Sequence, residues 1–311
     1  MAKSPHWSKV GEAGTVMGMK SLLLVYQLTG RWGFRLILLP VMCYYYLSQP
    51  RARKASQEYL ARMQHTLDSQ QRQPHSFFHF MSFGETLLDK FLVWMGKIKR
   101  EDVVFHKPDL FQQVDDQQRG AVIVVSHLGN TEVCSALAHQ LPDTKLTILV
   151  YTQHAEKFNA LMKRFNNSQG IELLQVTEVG PATAMMLSER VEAGELVVIA
   201  GDRTPVTGHS RISQVNFLGH PAPMPQGAFI LASLLKCPVY LMFCLKQQGK
   251  YHIYLELFAE KIRFARKERE QAINKVVQDY AMRLEHYCLK APLQWFNFFP
   301  FWQDEQGSVS D

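Results

Sequence analysis

Between Gly120 and Ala200 the chain alternates short aliphatic and β-branched runs with stretches of helical period. Ala121–Val125, Lys145–Tyr151, Ile171–Val176 and Leu196–Ala200 are apolar at nearly every position, the pattern of strands buried on both faces. Among them, Thr131–His139 has helical character. Ala155, Phe158, Leu161, Met162 and Phe165 form a helical stripe that stops at Asn166, Asn167 and Gly170. A further helix begins at Pro181, where a missing N–H costs nothing, and closes at Gly194. Ser213–Leu218 then predicts a strand and Pro225–Leu235 a helix. Pro238–Leu245 and His252–Phe258 predict two strands joined by Gln247-Gln248-Gly249-Lys250, a link short enough to make them antiparallel. From about Arg266 to Leu289, Ile273, Val276, Val277, Tyr280, Leu284 and Tyr287 line one stripe of a long amphipathic helix. Helices alternating with fully apolar strands predict an α/β fold with a mostly parallel central sheet and helices on both faces.

The amino-terminal part reads differently. Ser21 to Leu47 is apolar except at Gln27, Arg31 and Arg35, and its longest unbroken run, Leu36–Leu47, is twelve residues, against about 20 for a spanning helix. Arg31 and Arg35 share one helical face, Trp32, Leu36, Leu39 and Cys43 another, and Tyr44, Tyr45 and Tyr46 suit a lipid–water interface. These features predict an apolar helical membrane anchor, interfacial or tilted. The alternative is a helical hairpin packed on the protein itself and broken at Gly30 and Pro40. The polar stretch 62–75 predicts a loop between helices. The expected organisation is a membrane-associated segment over residues 1–60 and an α/β domain over 61–311.

Charge supports that division. Residues 1–60 hold eight bases (Lys3, Lys9, Lys20, Arg31, Arg35, Arg51, Arg53, Lys54) and two acids (Glu12, Glu58), which accounts for the whole net charge of +6. Bases confined to an apolar end point to an anionic membrane surface and away from nucleic acid, which would need them across the folded body. Five cysteines without CxxC spacing predict reduced thiols, most of them buried.

In an open α/β sheet ligands bind beyond the carboxyl ends of the strands. Ala121–Val125 ends in Ser126-His127-Leu128-Gly129-Asn130-Thr131-Glu132. A turn there would let Glu132 accept from one nitrogen of His127 and leave the other to take a proton from a hydroxyl. Amides opening the next helix could also face an anion. The plain alternative is a capped turn with a satisfied histidine. After Leu196–Ala200 comes Gly201-Asp202-Arg203-Thr204-Pro205, where Arg203 suits a phosphate or an oxyanion and Asp202 would orient it. An ion pair confined to the loop is the alternative there. Phe217–Gly227, FLGHPAPMPQG, predicts a rigid turn leading into a helix. There is no GxSxG, Walker A motif, dinucleotide-binding glycine pattern or metal-ligand spacing, so the expected chemistry uses no cofactor and no metal. A base without a protein nucleophile would activate the acceptor substrate directly.

Taken together, SHLGNTE, GDRTP, FLGHPAPMPQG and the terminal QWFNFFPFW resemble the bacterial lipid A late acyltransferase family, within the lysophospholipid acyltransferase superfamily and its HX4D/E motif. The resemblance implies acyl transfer from an acyl carrier protein thioester, or acyl-CoA, to a hydroxyl on a membrane lipid or glycolipid at the cytoplasmic face of the bacterial inner membrane. His127 and Glu132 would be the catalytic pair, and Arg203, Asn130, Gly129, Asp202 and Gly219 would lie in the substrate-binding loops. Thr131 stands where lipid A enzymes usually carry an aromatic residue. Trp295 is followed by Phe296-Asn297-Phe298-Phe299 where they carry bases. Fewer bases suit a less phosphorylated acceptor, such as an aryl-polyene or ornithine-type lipid. A thioesterase in the same site and a catalytically silent lipid-binding protein are the competing readings.

Overall fold

The computed structural model describes residues 16–64, 74–94, 96–110, 114, 120–133, 145–150, 171–175, 180–203 and 211–302. Its helices are α1 (Val16–Ser48), α2 (Pro50–Gln64), α3 (Ser76–Trp94), α4 (Pro181–Glu192), α5 (Gly227–Leu235) and α6 (Arg269–Lys290). The strands are β1 (Val103–His106), β2 (Val122–Val125), β3 (Leu146–Val150), β4 (Ile171–Gln175), β5 (Leu196–Ala200), β6 (Ile212–Phe217), β7 (His220–Pro225), β8 (Val239–Gln247) and β9 (Lys250–Ala259).

Seven strands form one sheet in the order β1-β9-β8-β2-β5-β3-β4, and among the described residues only the β8–β9 pairing is antiparallel. The α/β reading therefore holds. Alternate residues along the central strands serve two cores. Val122, Val124, Val197, Ile199, Leu241 and Phe243 pack with Leu187 of α4, Phe229 of α5 and Val277, Tyr280 and Leu284 of α6. Ala121, Ile123, Val125, Val198, Tyr240 and Met242 turn to the other face, with Val93 of α3. Two-sided burial explains why these strands are apolar throughout, each buried aliphatic or aromatic side chain contributing roughly 1.5–3 kcal/mol. Gln248 and Gly249, both at positive φ, close the β8–β9 hairpin. The stripe at Ala155–Phe165 and the helix beyond Val133 lie outside the described residues.

Two strands lie outside those the pattern predicts. β1 is a four-residue edge strand parallel to β9. The proline-rich stretch, expected as a turn, is strand β7, paired with β6 through a tight turn at Leu218-Gly219, both at positive φ. Pro221, Pro223 and Pro225 occupy every second position. In this register His220, Ala222 and Met224 face Phe217, Val215 and Ser213 as the bonded pairs, so the prolines fall where no N–H is owed to the partner.

α1 is interrupted at Gly30 (φ 67, ψ −161), as the hairpin alternative expected, but it continues through Pro40. Among the described residues no helix is long and apolar enough to cross a membrane. The arginines that break the apolar run are engaged on α3. Arg35 forks onto Glu85 at 2.8 and 3.1 Å, and Arg31 reaches Asp89 at 2.8 Å, an acid 1% exposed that Lys246 of β8 meets from the other side at 2.5 Å. Phe34, Leu38 and Met42 pack with Phe80, Leu88 and Leu92 of α3. The division expected at residue 60 falls inside α2, whose Tyr59, Leu60 and Met63 belong to the main core.

Candidate active site

The site forms where β2 and β5 end side by side. Their parallel register pairs Val125 with Ala200, and Gly201 N–H donates to Val125 O at 2.9 Å. Two residues past each strand stand His127 and Asp202, brought together although 75 positions apart in the chain.

Asp202, 1% exposed, is held by three donors. Its Oδ1 accepts from His127 Nδ1 at 2.8 Å, and its Oδ2 accepts from the His127 backbone N–H at 2.8 Å and from Trp295 Nε1–H at 3.0 Å. Burial alone would raise the Asp202 pKa. The His127 ring and backbone and the nearby Arg203 outweigh it and bring the pKa down to about 2. An ionised carboxylate only accepts, so the proton of neutral His127 sits on Nδ1 and Nε2 keeps its lone pair. Burial, with the charge of Arg203 next, holds His127 below its ordinary value despite Asp202. The ring is therefore neutral at pH 7. Its side chain is 37% exposed, which leaves it open to a substrate.

This corrects the expected partner. Glu132 does not receive His127 Nδ1; it binds Lys90 Nζ of α3 at 2.7 Å. The short-range geometry that favoured Glu132 loses to the strand register, which delivers Asp202 to the same nitrogen in a buried place. Lys90 is near enough for its charge to lower the His127 pKa, so Glu132 and Lys90 stand as a compensated pair beside the ring.

Other expected residues fall as follows. Arg203, expected to hold a phosphate or an oxyanion, donates through Nη2 to Phe296 O at 2.9 Å and lies over the Phe299 ring at 5.5 Å. Gly129, at φ 75, gives its N–H to Gln294 O at 2.8 Å, and Asn130 N–H goes to Cys244 O at 2.9 Å. Those two amides are thereby occupied within the fold. The Asn130 side chain is 3% exposed, and neither of its polar atoms meets a partner among the described residues, an arrangement that costs free energy until a polar group meets it. Gly219 sits in the β6–β7 turn with open space where a Cβ would project, and serves the turn.

The chain's carboxyl-terminal segment closes the site from behind. Leu128 bridges to Trp295, and Phe296 N–H donates to His127 O at 2.9 Å. Trp295 is 1% exposed and packs edge-on against Tyr59, Phe217 and Phe301 at ring separations of 5.0–5.2 Å. Lys90 and Trp295 were not singled out as functional from the sequence. Both reach the site through tertiary packing, which no local spacing encodes.

Comparison with known families places this geometry in a context. A family model for bacterial lipid A biosynthesis acyltransferases matches residues 78–304, a span containing α3, His127, Asp202 and Trp295. No curated protein matches the chain.

Proposed function

The chain belongs to the bacterial lipid A biosynthesis acyltransferase family, and we propose that it moves a fatty acyl chain from an acyl carrier protein thioester to a hydroxyl of a lipid or glycolipid, with His127 as general base. The observation that carries the reading is the exposed imidazole whose Nδ1–H is committed to a buried, ionised Asp202. Nε2 takes the proton of the acceptor hydroxyl as its oxygen attacks the thioester carbonyl. The tetrahedral intermediate then expels the thiolate, which leaves with that proton. Asp202 fixes the tautomer and stabilises the imidazolium, the role of the acid in a hydrolase triad.

The charges of Arg203 and Lys90 already act on the ring, and the same charges favour the oxyanion of the intermediate. Glu132 acts beside the base by pairing with Lys90, which moderates that positive field. Asn130 is the buried polar group suited to a substrate atom. The short Phe-rich segment after Trp295 suits an acceptor with few phosphates.

Exposed Trp32, Leu36, Leu39, Tyr44 and Leu47 on α1, with Phe78 and Leu87 on α3, support interfacial association with the cytoplasmic face of the bacterial inner membrane. Arg51, Arg53, Lys54 and Arg211 would steer an acidic carrier protein. The test compares acyl carrier protein and CoA thioesters of equal chain length, for wild type and His127→Ala. Transfer from the carrier protein at a higher kcat/KM, lost in the variant by about 10²–10⁴-fold, supports the reading. Preference for CoA rejects the donor, and a folded His127→Ala chain retaining more than about a tenth of activity rejects the base.

A further inference from the structure

Behind the candidate base lies a second histidine that the acyl-transfer chemistry does not use. His79 of α3 is fully buried, and its ring lies 4.6 Å from that of Phe298 in a stacked arrangement. Its Nε2 is 2.9 Å from Trp295 O, and a carbonyl only accepts, so Nε2 carries the hydrogen. Its Nδ1 lies 2.9 Å from Ser56 Oγ, which itself accepts from Ser76 Oγ at 2.8 Å. One direction satisfies every member: Ser76 donates to Ser56, Ser56 to His79 Nδ1, and His79 Nε2–H to the Trp295 carbonyl. Burial lowers the His79 pKa to about 4, which keeps the ring in the neutral form this chain requires.

The order continues into the site. Trp295 donates its indole N–H to Asp202, and Asp202 accepts Nδ1–H of His127. We propose that His79 is a positioning residue for acyl transfer: by donating to the Trp295 carbonyl it seats the indole that holds Asp202 against His127. Trp295 belongs to a stretch without helix or long strand pairing, and among the described residues the same carbonyl accepts one further bond, from Asn297 N–H at 2.8 Å. Through His79, α2 and α3 thus set the geometry of groups at the opposite end of the chain. The inference rests on His127 being the base, but its test needs no turnover.

Two amides separate the two ends of the ring. In His79→Gln the side-chain amide nitrogen reaches the place of Nε2 and keeps the donor to Trp295. In His79→Asn the side-chain amide reaches only the place of Nδ1, where its oxygen accepts from Ser56, and the donor to Trp295 is lost. The measurements are hydrogen exchange of the Trp295 indole proton and the tautomer of His127, read by ¹⁵N NMR on the full chain. Trp295→Phe assigns the indole signal among the five tryptophans. His79→Asn is expected to speed indole exchange by about fivefold, the population shift that loss of one hydrogen bond brings, and to mix the His127 tautomers, while His79→Gln stays near wild type. Indole exchange and tautomer in His79→Asn equal to wild type, or Gln as impaired as Asn, overturn the proposal. Should His79→Asn not fold, Ser56→Ala releases the ring without adding volume and is expected to move both readouts in the same direction by less; no movement overturns the proposal equally. Failure of the base reading appears separately, as activity retained by His127→Ala.

Discussion

Asp202 accepts both the ring Nδ1–H and the backbone N–H of His127, each at 2.8 Å. A carboxylate that grips ring and main chain together fixes where the imidazole points as well as which nitrogen is protonated. Asp202→Asn keeps the shape but places an amide that can donate to Nδ1, which moves the ring proton to Nε2 and removes the base. We expect kcat to fall by about 10²–10⁴-fold with a smaller change in KM. Glu132→Gln, which only disturbs the pair with Lys90, is expected to cost less than Asp202→Asn. Steady-state kinetics on both variants checks the order, and the reverse order would return the role of orienter to Glu132.

Gly129 offers a test of the loop. Its φ of 75 disfavours a side chain, and an added Cβ would lie 1.9 Å from Cys244 O, a backbone atom that also receives Asn130 N–H. Gly129→Ala therefore has to push the loop off β8. We expect a loss of about 2–4 kcal/mol in unfolding free energy, from strain and broken pairing, together with loss of activity. Urea denaturation measures the first, and a variant as stable as wild type would mean that the loop sits otherwise.

β2 and β5 are legible in the sequence because both of their faces are buried and every position is apolar, and β3 and β4 because their aliphatic residues outnumber Thr147 in the one and Glu172 and Gln175 in the other. β7 was hidden because its prolines, at alternate places on a strand that owes them no hydrogen bond, look like a turn. The histidine proposed as base is legible from its place at a strand end. The carboxylate that holds its ring is not, because β5 lies beside β2 only through the strand order of the sheet, and strand order leaves no local mark. Glu132, five residues on, was the nearest acid in sequence; Asp202 is nearest in space. His79 and Lys90 share that obscurity, since the position of α3 against the sheet is set by packing.

The carboxylate of Asp89 gives a prediction about α1. It is 1% exposed and faces Arg31 of α1 and Lys246 of β8. Burial lowers the Lys246 pKa, and Asp89 opposes that shift. Asp89→Asn leaves Arg31 and Lys246 without their shared partner, with only the weaker field of Glu85, already paired with Arg35, to offset Lys246. The expected loss is on the order of 2–3 kcal/mol, below the range of a wholly buried pair because Arg31 is 38% exposed and water screens it. Protease cleavage within α1 should rise in parallel. Unchanged stability and unchanged protection of α1 would show that the apolar contacts with α3 hold the helix unaided.

The last prediction follows from the buried His79. Its pKa in the folded chain is lowered from 6.5 to about 4 by burial, with the bond to Trp295 O opposing the shift. Between those values the unfolded chain binds a proton that the folded chain refuses, so acid favours unfolding. The contribution is fully present above about pH 6.5, declines as pH falls, and amounts to a loss of about 2 kcal/mol between pH 7 and pH 5. His79→Gln has no proton to take up. The other histidines and the carboxylates titrate alike in both proteins, so their effects cancel in the difference. The unfolding free energy of wild type minus that of His79→Gln should therefore fall by about 2 kcal/mol from pH 7 to pH 5 in urea titrations. Parallel curves would mean that His79 takes up its proton in the folded chain as readily as in the unfolded one, in which case Nδ1 would donate to Ser56 and the serine half of the chain would run the other way, while Nε2–H would still donate to the Trp295 carbonyl.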